Sequence, residues 1–222
     1  MKQSGGQQAD SDIIVTAGRA KLRGILGLPH EPAGLVVFAH GSGSGRLSPR
    51  NTFVAQTLNR EGLATLLIDL LEEDEADDRR KVFDIDLLAD RLLAVTEWVT
   101  QRPSTQRLAV GYFGASTGAG AALQAAARNP TTVAAVVSRG GRPDLAEDYL
   151  PRVQAPSLLI VGSLDTGVVQ LNREAYVALT CPKQLIIVPG ATHLFEEAGT
   201  LEQVAEHAWD WFHRYLGSPS SQ

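Results

Sequence analysis

A single cysteine, Cys181, stands in the chain. One thiol forms no internal disulfide and no multi-thiolate metal site, so Cys181 reads as structural and the expected setting is reducing and cytoplasmic. No apolar run has the length of a membrane span, so no membrane partner is expected. Met1 to Ser11 lack the apolar core of a secretory signal and read as a disordered tail, leaving 12–222 as a single domain. Positive charge is not in excess: a net charge of −5 argues against a general nucleic-acid binder. No group of His, Asp and Glu has metal-ligand spacing, so no metal is expected. Internal repeats and interdomain linkers are also missing. What remains, 44% hydrophobic with 20% charged residues, is the balance of a soluble globular domain able to bury a substantial core.

Hydrophobic patterning supplies the architecture. Asp12 to Ala17 and Ala20 to Leu28 read as two strands around a tight turn at Gly18-Arg19. Gly34 to Ala39, Leu63 to Ile68, Leu108 to Phe113, Thr132 to Val137, Ser157 to Val161 and Gln184 to Val188 are short apolar runs, as expected of strands buried on both faces. Between them lie helical patterns. Ser48-Pro49 offers an N-cap and a first-turn proline for a helix to Glu61, and Gly62 stops it. Ile85, Leu88, Leu92, Val95 and Val99 form one apolar stripe at spacings of three and four. Alanine-rich residues to Arg128, Val168 to Leu179 and Leu201 to Leu216 complete the set. The acidic stretch from Glu72 to Asp78 reads as a solvated loop. Such alternation predicts an α/β fold with a mostly parallel sheet of about eight strands and helices on both faces.

Gly114-Ala115-Ser116-Thr117-Gly118 lies at a predicted strand-to-helix junction. A G-x-S-x-G pentad there has the form of a nucleophile elbow, in which the serine stands on a sharp, strained turn with its hydroxyl exposed. Strand and helix then pass so closely that side chains two residues to either side would collide, and glycine removes the collision. Gly114, Gly118 and Gly120 also spell G-x-x-x-G-x-G, a fingerprint resembling NADP-dependent short-chain dehydrogenases. That reading expects the fingerprint to open the fold and a Tyr-x-x-x-Lys pair to follow. Here four strands precede it, and Tyr149 and Tyr176 lead to Val153 and Thr180.

Ligands of such sheets bind at the carboxyl ends of the strands. Beyond the fifth strand stands Ser116; beyond the seventh, Gly162-Ser163-Leu164-Asp165; beyond the eighth, Pro189-Gly190-Ala191-Thr192-His193. Serine, then aspartate, then histidine is the chain order of an α/β-hydrolase triad. Serine is a poor nucleophile at its free pKa, so it needs an imidazole to take its proton and a carboxylate to hold the imidazole's tautomer. Asp69, Glu196 and Glu197 are rival carboxylates, the first in the wrong order and the others too near His193 in sequence. Acyl transfer also needs two backbone N–H groups for the developing oxyanion. Thr117 supplies one, and Ser42 is placed as the other, with Gly41 or Gly43 as alternatives by register.

Together the motifs His40-Gly41-Ser42-Gly43-Ser44-Gly45-Arg46, Gly114-Ala115-Ser116-Thr117-Gly118, Ser138-Arg139-Gly140-Gly141-Arg142-Pro143, Asp165 and Gly190-Ala191-Thr192-His193 resemble the dienelactone hydrolase-like branch of the α/β-hydrolases. Similar domains also occur fused to phosphoribosyltransferases. The resemblance implies hydrolysis of carboxylic esters or lactones by Ser116, Asp165 and His193, with no metal or cofactor and a small-molecule substrate; a monomer or homodimer is expected. Dienelactone hydrolases proper place cysteine at the elbow. Ser116 departs from that pattern and favours a general carboxylesterase. The Ser138 to Ala155 connection is short for a cap domain, which implies an open site, with Arg139 and Arg142 either clamping a substrate carboxylate or solvated. The alternative of another class is a small-molecule receptor that keeps the fold without turnover.

Overall fold

A computed structural model describes residues 10–217. Its eight strands are β1 (Ser11–Ala17), β2 (Ala20–Gly27), β3 (Leu35–Ala39), β4 (Ala64–Ile68), β5 (Val110–Ala115), β6 (Val133–Arg139), β7 (Ser157–Gly162) and β8 (Lys183–Val188). They form one sheet in the order β1-β2-β4-β3-β5-β6-β7-β8. The β1–β2 and β2–β4 pairs are antiparallel, and all pairs from β4 to β8 are parallel. The helices are α1 (Pro49–Arg60), α2 (Arg79–Val82), α3 (Ile85–Gln101), α4 (Thr117–Arg128), α5 (Thr166–Ala178) and α6 (Thr200–Leu216), with a 3-10 segment at Pro143–Arg152.

Successive side chains of a strand point to opposite faces, so a run buried on both faces divides between two cores. Leu35, Val37, Leu66, Ile68 and Tyr112 join the core under α3, α4 and α5. Val36, Phe38, Leu67 and Phe113 join the core under α1 and α6. Phe38 and Phe113 meet there with ring centroids 4.8 Å apart. Each such fully buried aromatic is worth about 2–3 kcal/mol relative to exposure, which is why these central strands need no polar alternation.

The helix signals work as their chemistry requires. Ser48 caps α1, its hydroxyl accepting from the Asn51 N–H, and Pro49 occupies the first turn. Asp84 caps α3 through the Leu87 N–H. The first strand begins at Ser11, which pairs with Leu26, one residue earlier than predicted. Of the predicted tail, Asp10 is exposed and outside any strand, and residues 1–9 lie outside the described residues.

One expectation needs correction. The stretch from Glu72 to Asp78 is not simply a solvated loop, because Glu75 within it is buried. Arg91 from α3 donates to both Glu75 oxygens, at 2.5 and 2.9 Å, and also to the Leu70 carbonyl at 2.8 Å. Lys81 adds a third donor at 2.8 Å. These donors, Arg91 foremost, hold the Glu75 carboxyl well below the ordinary carboxylate range, at about 2. The segment is thus pinned to α3, and α2 follows with Asp78 as its cap.

Candidate active site

β5 ends at Ala115, and α4 begins two residues later, so Ser116 carries the whole change of direction. Its backbone lies at φ 50° and ψ −120°, a conformation that L-residues avoid. The glycines beside it are required by contact. A Cβ at Gly114 would stand 2.4 Å from Ala119 Cα, and one at Gly118 would stand 2.2 Å from the Ala39 carbonyl at the end of β3. The turn is held by backbone bonds: Ser116 N–H donates to the Arg139 carbonyl at 3.3 Å, and the Ser116 carbonyl accepts from Arg142 N–H at 3.0 Å.

Asp165 stands at the cap position of α5, yet its side chain makes no capping bond. Instead its Oδ2 lies 2.6 Å from Nδ1 of His193. The loops that bring the two together are joined by backbone: Leu164 N–H donates to the Ala191 carbonyl at 2.9 Å, and Ser163 N–H to the Val188 carbonyl at 2.9 Å. Phe195, buried in the core under α1 and α6, anchors the His193 loop from the other side. The His193 side chain is 39% exposed and that of Asp165 is 18% exposed. The imidazole therefore opens to solvent while its partner stays shielded. No hydrogen bond joins the His193 ring to Ser116 among the described residues; such bonds are often long in unliganded sites and tighten with substrate.

The rival carboxylates have other partners. Glu197 accepts from the Thr192 N–H at 3.1 Å and its hydroxyl at 2.7 Å, and these bonds lower its pKa. Glu196 pairs with Arg50 at 3.2 Å. Asp69 accepts from the Arg46 N–H at 2.6 Å and its guanidinium at 2.5 Å, clamping the 40–46 loop to the end of β4. His40 supplies a second tether that the sequence reading did not assign. Its Nε2 accepts from the Leu70 N–H at 3.0 Å, so in the neutral ring Nδ1 carries the proton and donates to the Gly41 carbonyl at 3.0 Å. Burial lowers the His40 pKa, which keeps the ring neutral.

Those tethers orient the candidate oxyanion donors. The Gly41 carbonyl accepts from His40 and from Ser44 N–H at 3.2 Å. In a trans peptide the N–H points opposite to the preceding carbonyl, so the Ser42 N–H faces away from the loop interior. Gly41 packs against the elbow: a Cβ there would stand 2.9 Å from Ser116 Cβ. Thr117 is the first residue of α4, where the helix leaves its N–H groups unclaimed. A cleft of about 1090 Å³ adjoins both features; its lining includes Ser42, Gly43, Arg50, Asp69, Glu72 and Thr117. Ser116, Asp165 and His193 are not among its lining residues.

Arg139, the last residue of β6, and Arg142, just beyond it, sit in different surroundings. Arg142 is closed off by Asp144, which accepts two bonds at 2.8 and 2.6 Å and raises the arginine's pKa. Arg139 is not solvated, being only 7% exposed. Burial first, and then the nearby charge of Arg50, lower its pKa to about 10. The connection after β6 packs on α4 as the 3-10 segment Pro143–Arg152 and builds no cap. Among the described residues no group of three or more His, Cys, Asp and Glu side chains converges on a metal-sized site, and no helix is long and apolar enough to cross a membrane.

Comparison with known proteins bears on the family and the fold. The model of the Dienelactone hydrolase family matches residues 22–218. A dienelactone hydrolase from Anabaena variabilis is 55% identical and superposes with a TM-score of 0.92 over 95% of this chain and 100% of that one. A lidless α/β serine hydrolase from Xanthomonas campestris shares the fold at 22% identity, with a TM-score of 0.76 over 96% and 97% of the two chains. A Mycobacterium tuberculosis protein, provisionally named a phosphoribosyl transferase, is 57% identical over 95% of this chain. The alignment takes up 47% of that relative, so the chain spans about half the length of the curated relatives it matches.

Proposed function

The chain belongs to the dienelactone hydrolase family, and from that premise we propose that it is a cytoplasmic serine hydrolase that cleaves small carboxylic esters or lactones through an acyl-enzyme. The observation that carries this reading is the 2.6 Å contact between Asp165 and His193 beside a serine held at φ 50°. In this reading the Ser116 hydroxyl attacks the acyl carbon while His193 Nε2 takes its proton. Asp165 accepts from Nδ1, which fixes the tautomer and stabilises the imidazolium. The N–H groups of Thr117 and Ser42 receive the oxyanion, His193 returns the proton to the leaving alcohol, and water then repeats the sequence to release the acid. No step calls for a metal or cofactor.

Several observations favour turnover over mere binding. Strained backbone of the kind at Ser116 clusters at functional sites, and the 40–46 loop is tethered at both His40 and Arg46 beside the elbow. The phosphoribosyl transferase name belongs to proteins about twice this length, and the residues gathered here are those of acyl transfer. The test is a burst of p-nitrophenol from p-nitrophenyl acetate, with labelling of Ser116 by a fluorophosphonate. Stoichiometric binding without turnover would favour a receptor. Activity that EDTA abolishes and zinc restores would overturn the metal-free mechanism.

A further inference from the structure

The turn Arg139-Gly140-Gly141-Arg142 leads from β6 into the 3-10 segment and touches the elbow and the histidine alike. It grips the elbow twice. The Arg139 carbonyl accepts from the Ser116 N–H at 3.3 Å, and the Arg142 N–H donates to the Ser116 carbonyl at 3.0 Å. Gly140 lies between those two bonds, against His193. A Cβ there would stand 3.6 Å from both Cε1 and Nδ1 of the ring and 3.2 Å from the His193 carbonyl oxygen. The turn therefore spans from Ser116 to His193.

Two anchors hold it. Gly140 N–H donates to the Ile160 carbonyl of β7 at 2.8 Å. The other anchor is Asn172, fully buried in the middle of α5. Its Nδ2 donates to the Gly141 carbonyl at 3.0 Å and, one turn back in its own helix, to the Val168 carbonyl at 2.8 Å. Its Oδ1 is buried with no partner among the described residues. A buried polar atom without a partner destabilises, so an apolar side chain, like the buried Val169 and Ala175 of the same helix, would serve packing better. The asparagine is accounted for by its donor. Asp165 caps the same helix two turns earlier, on the same side of it. One helix thus carries both supports of the imidazole: the carboxylate on Nδ1 and, through Gly141, the turn beside Cε1. We propose that Asn172 is a positioning residue of the acyl transfer. By holding the Gly141 carbonyl it fixes the 139–142 turn, and the turn sets the reach from His193 Nε2 to the Ser116 hydroxyl. This rests on the hydrolase reading. A role exerted through geometry belongs in kcat rather than KM, and a displacement of about 1 Å can cost about 10²-fold in rate.

The experiment compares Asn172→Leu, Asn172→Ser and Asn59→Leu with the unaltered protein, each well below its Tm. Leucine matches asparagine in size and has no donor. Serine keeps a donor for the Val168 carbonyl, the usual i−4 bond of a helical serine, and is too short for Gly141; it carries the comparison if the leucine variant does not fold. Asn59 is the structural control: its Nδ2 also donates to two carbonyls, those of Gly27 and Leu63, away from the carboxyl ends of the strands. With p-nitrophenyl acetate, both Asn172 variants should lose about tenfold or more in kcat with KM within about twofold. Fluorophosphonate labelling of Ser116 should slow in step. Asn59→Leu should lower the Tm while kcat stays within about twofold. In proton NMR the His193 Hε1 resonance, assigned by its loss in His193→Gln, should move in the Asn172 variants and stay in place in Asn59→Leu. Full kcat in a folded Asn172→Ser protein, or an equal loss in Asn59→Leu, overturns the positioning role and leaves the hydrolase standing. A loss carried by KM also overturns it. If the unaltered protein neither turns over nor labels, the hydrolase reading fails, and the resonance still decides whether Asn172 seats the ring: no movement overturns that as well.

Discussion

His40 accepts the backbone N–H of Leu70 through Nε2 at 3.0 Å, and that bond assigns the proton to Nδ1 and ties the 40–46 loop to the end of β4. A ring so placed serves only while neutral. Its folded pKa lies below the ordinary 6.5, through burial, so the unfolded chain binds the proton first as pH falls. The stability it contributes is complete above pH 6.5 and is lost progressively below it. His40→Gln should therefore show a shallower decline of Tm between pH 6.5 and 5 than the unaltered protein. It should also lose about tenfold or more in kcat, since a displaced oxyanion donor costs that much or more. Parallel pH profiles for the two proteins would dissociate the ring's charge state from loop stability.

The pair of Glu75 and Arg91 makes the opposite prediction about acid. Glu75 is held at about 2 against 4.5 in the unfolded chain. Its stabilising effect is thus present above pH 4.5 and disappears as pH falls toward 2. Glu75→Gln leaves Arg91 buried without a countercharge, which costs about 3–5 kcal/mol. Urea unfolding at neutral pH should report this loss, whereas exposed Glu73→Gln should stay within about 0.5 kcal/mol of the unaltered protein. Equal midpoints for the two variants would return the whole segment to a solvated loop.

Strain at the elbow can be measured directly. A non-glycine residue at the Ser116 conformation costs on the order of 1–3 kcal/mol, and the extra freedom of glycine in the unfolded chain offsets about 0.5–1 kcal/mol of any gain. Ser116→Gly should be the more stable of two inactive variants, with a Tm a few degrees above that of Ser116→Ala, which keeps its Cβ. A lower Tm for the glycine variant would mean that the turn stores no strain at this position.

Much of this was legible in the sequence because the relevant constraints are local or periodic. The elbow glycines were readable since a turn that tight leaves no room for Cβ, and the contacts at Gly114 and Gly118 are of that kind. Asp165 and His193 were readable because strand ends converge in a parallel sheet. Glu75 was missed for lack of a partner in view, although the signal was present: Arg91 lies on the apolar stripe between Leu88 and Leu92, and burying its charge without a counterion is costly. The Arg46–Asp69 clamp and the burial of Arg139 depend on which strand ends are neighbours. Sheet order is a long-range property that neither periodicity nor spacing carries.

The remaining prediction concerns Asp165, placed at a helix cap but turned toward His193. Asp165→Asn keeps the size of the side chain and removes the charge. The amide can donate to Nδ1, which would leave the proton on Nε2, the atom that accepts from Ser116 in the proposed mechanism. In the triad of the serine proteases the same change lowers kcat about 10⁴-fold. Here kcat should fall at least about 10²-fold, less than in the proteases if the proposed Thr117 and Ser42 donors sustain a residual rate. KM should change little, as Asp165 has no need to touch the substrate. Thermal unfolding must show the variant folded, so that lost chemistry is separated from lost structure. A well-folded Asp165→Asn protein that keeps most of its kcat, while Glu197→Gln loses it, would move the carboxylate role to the Thr192 loop.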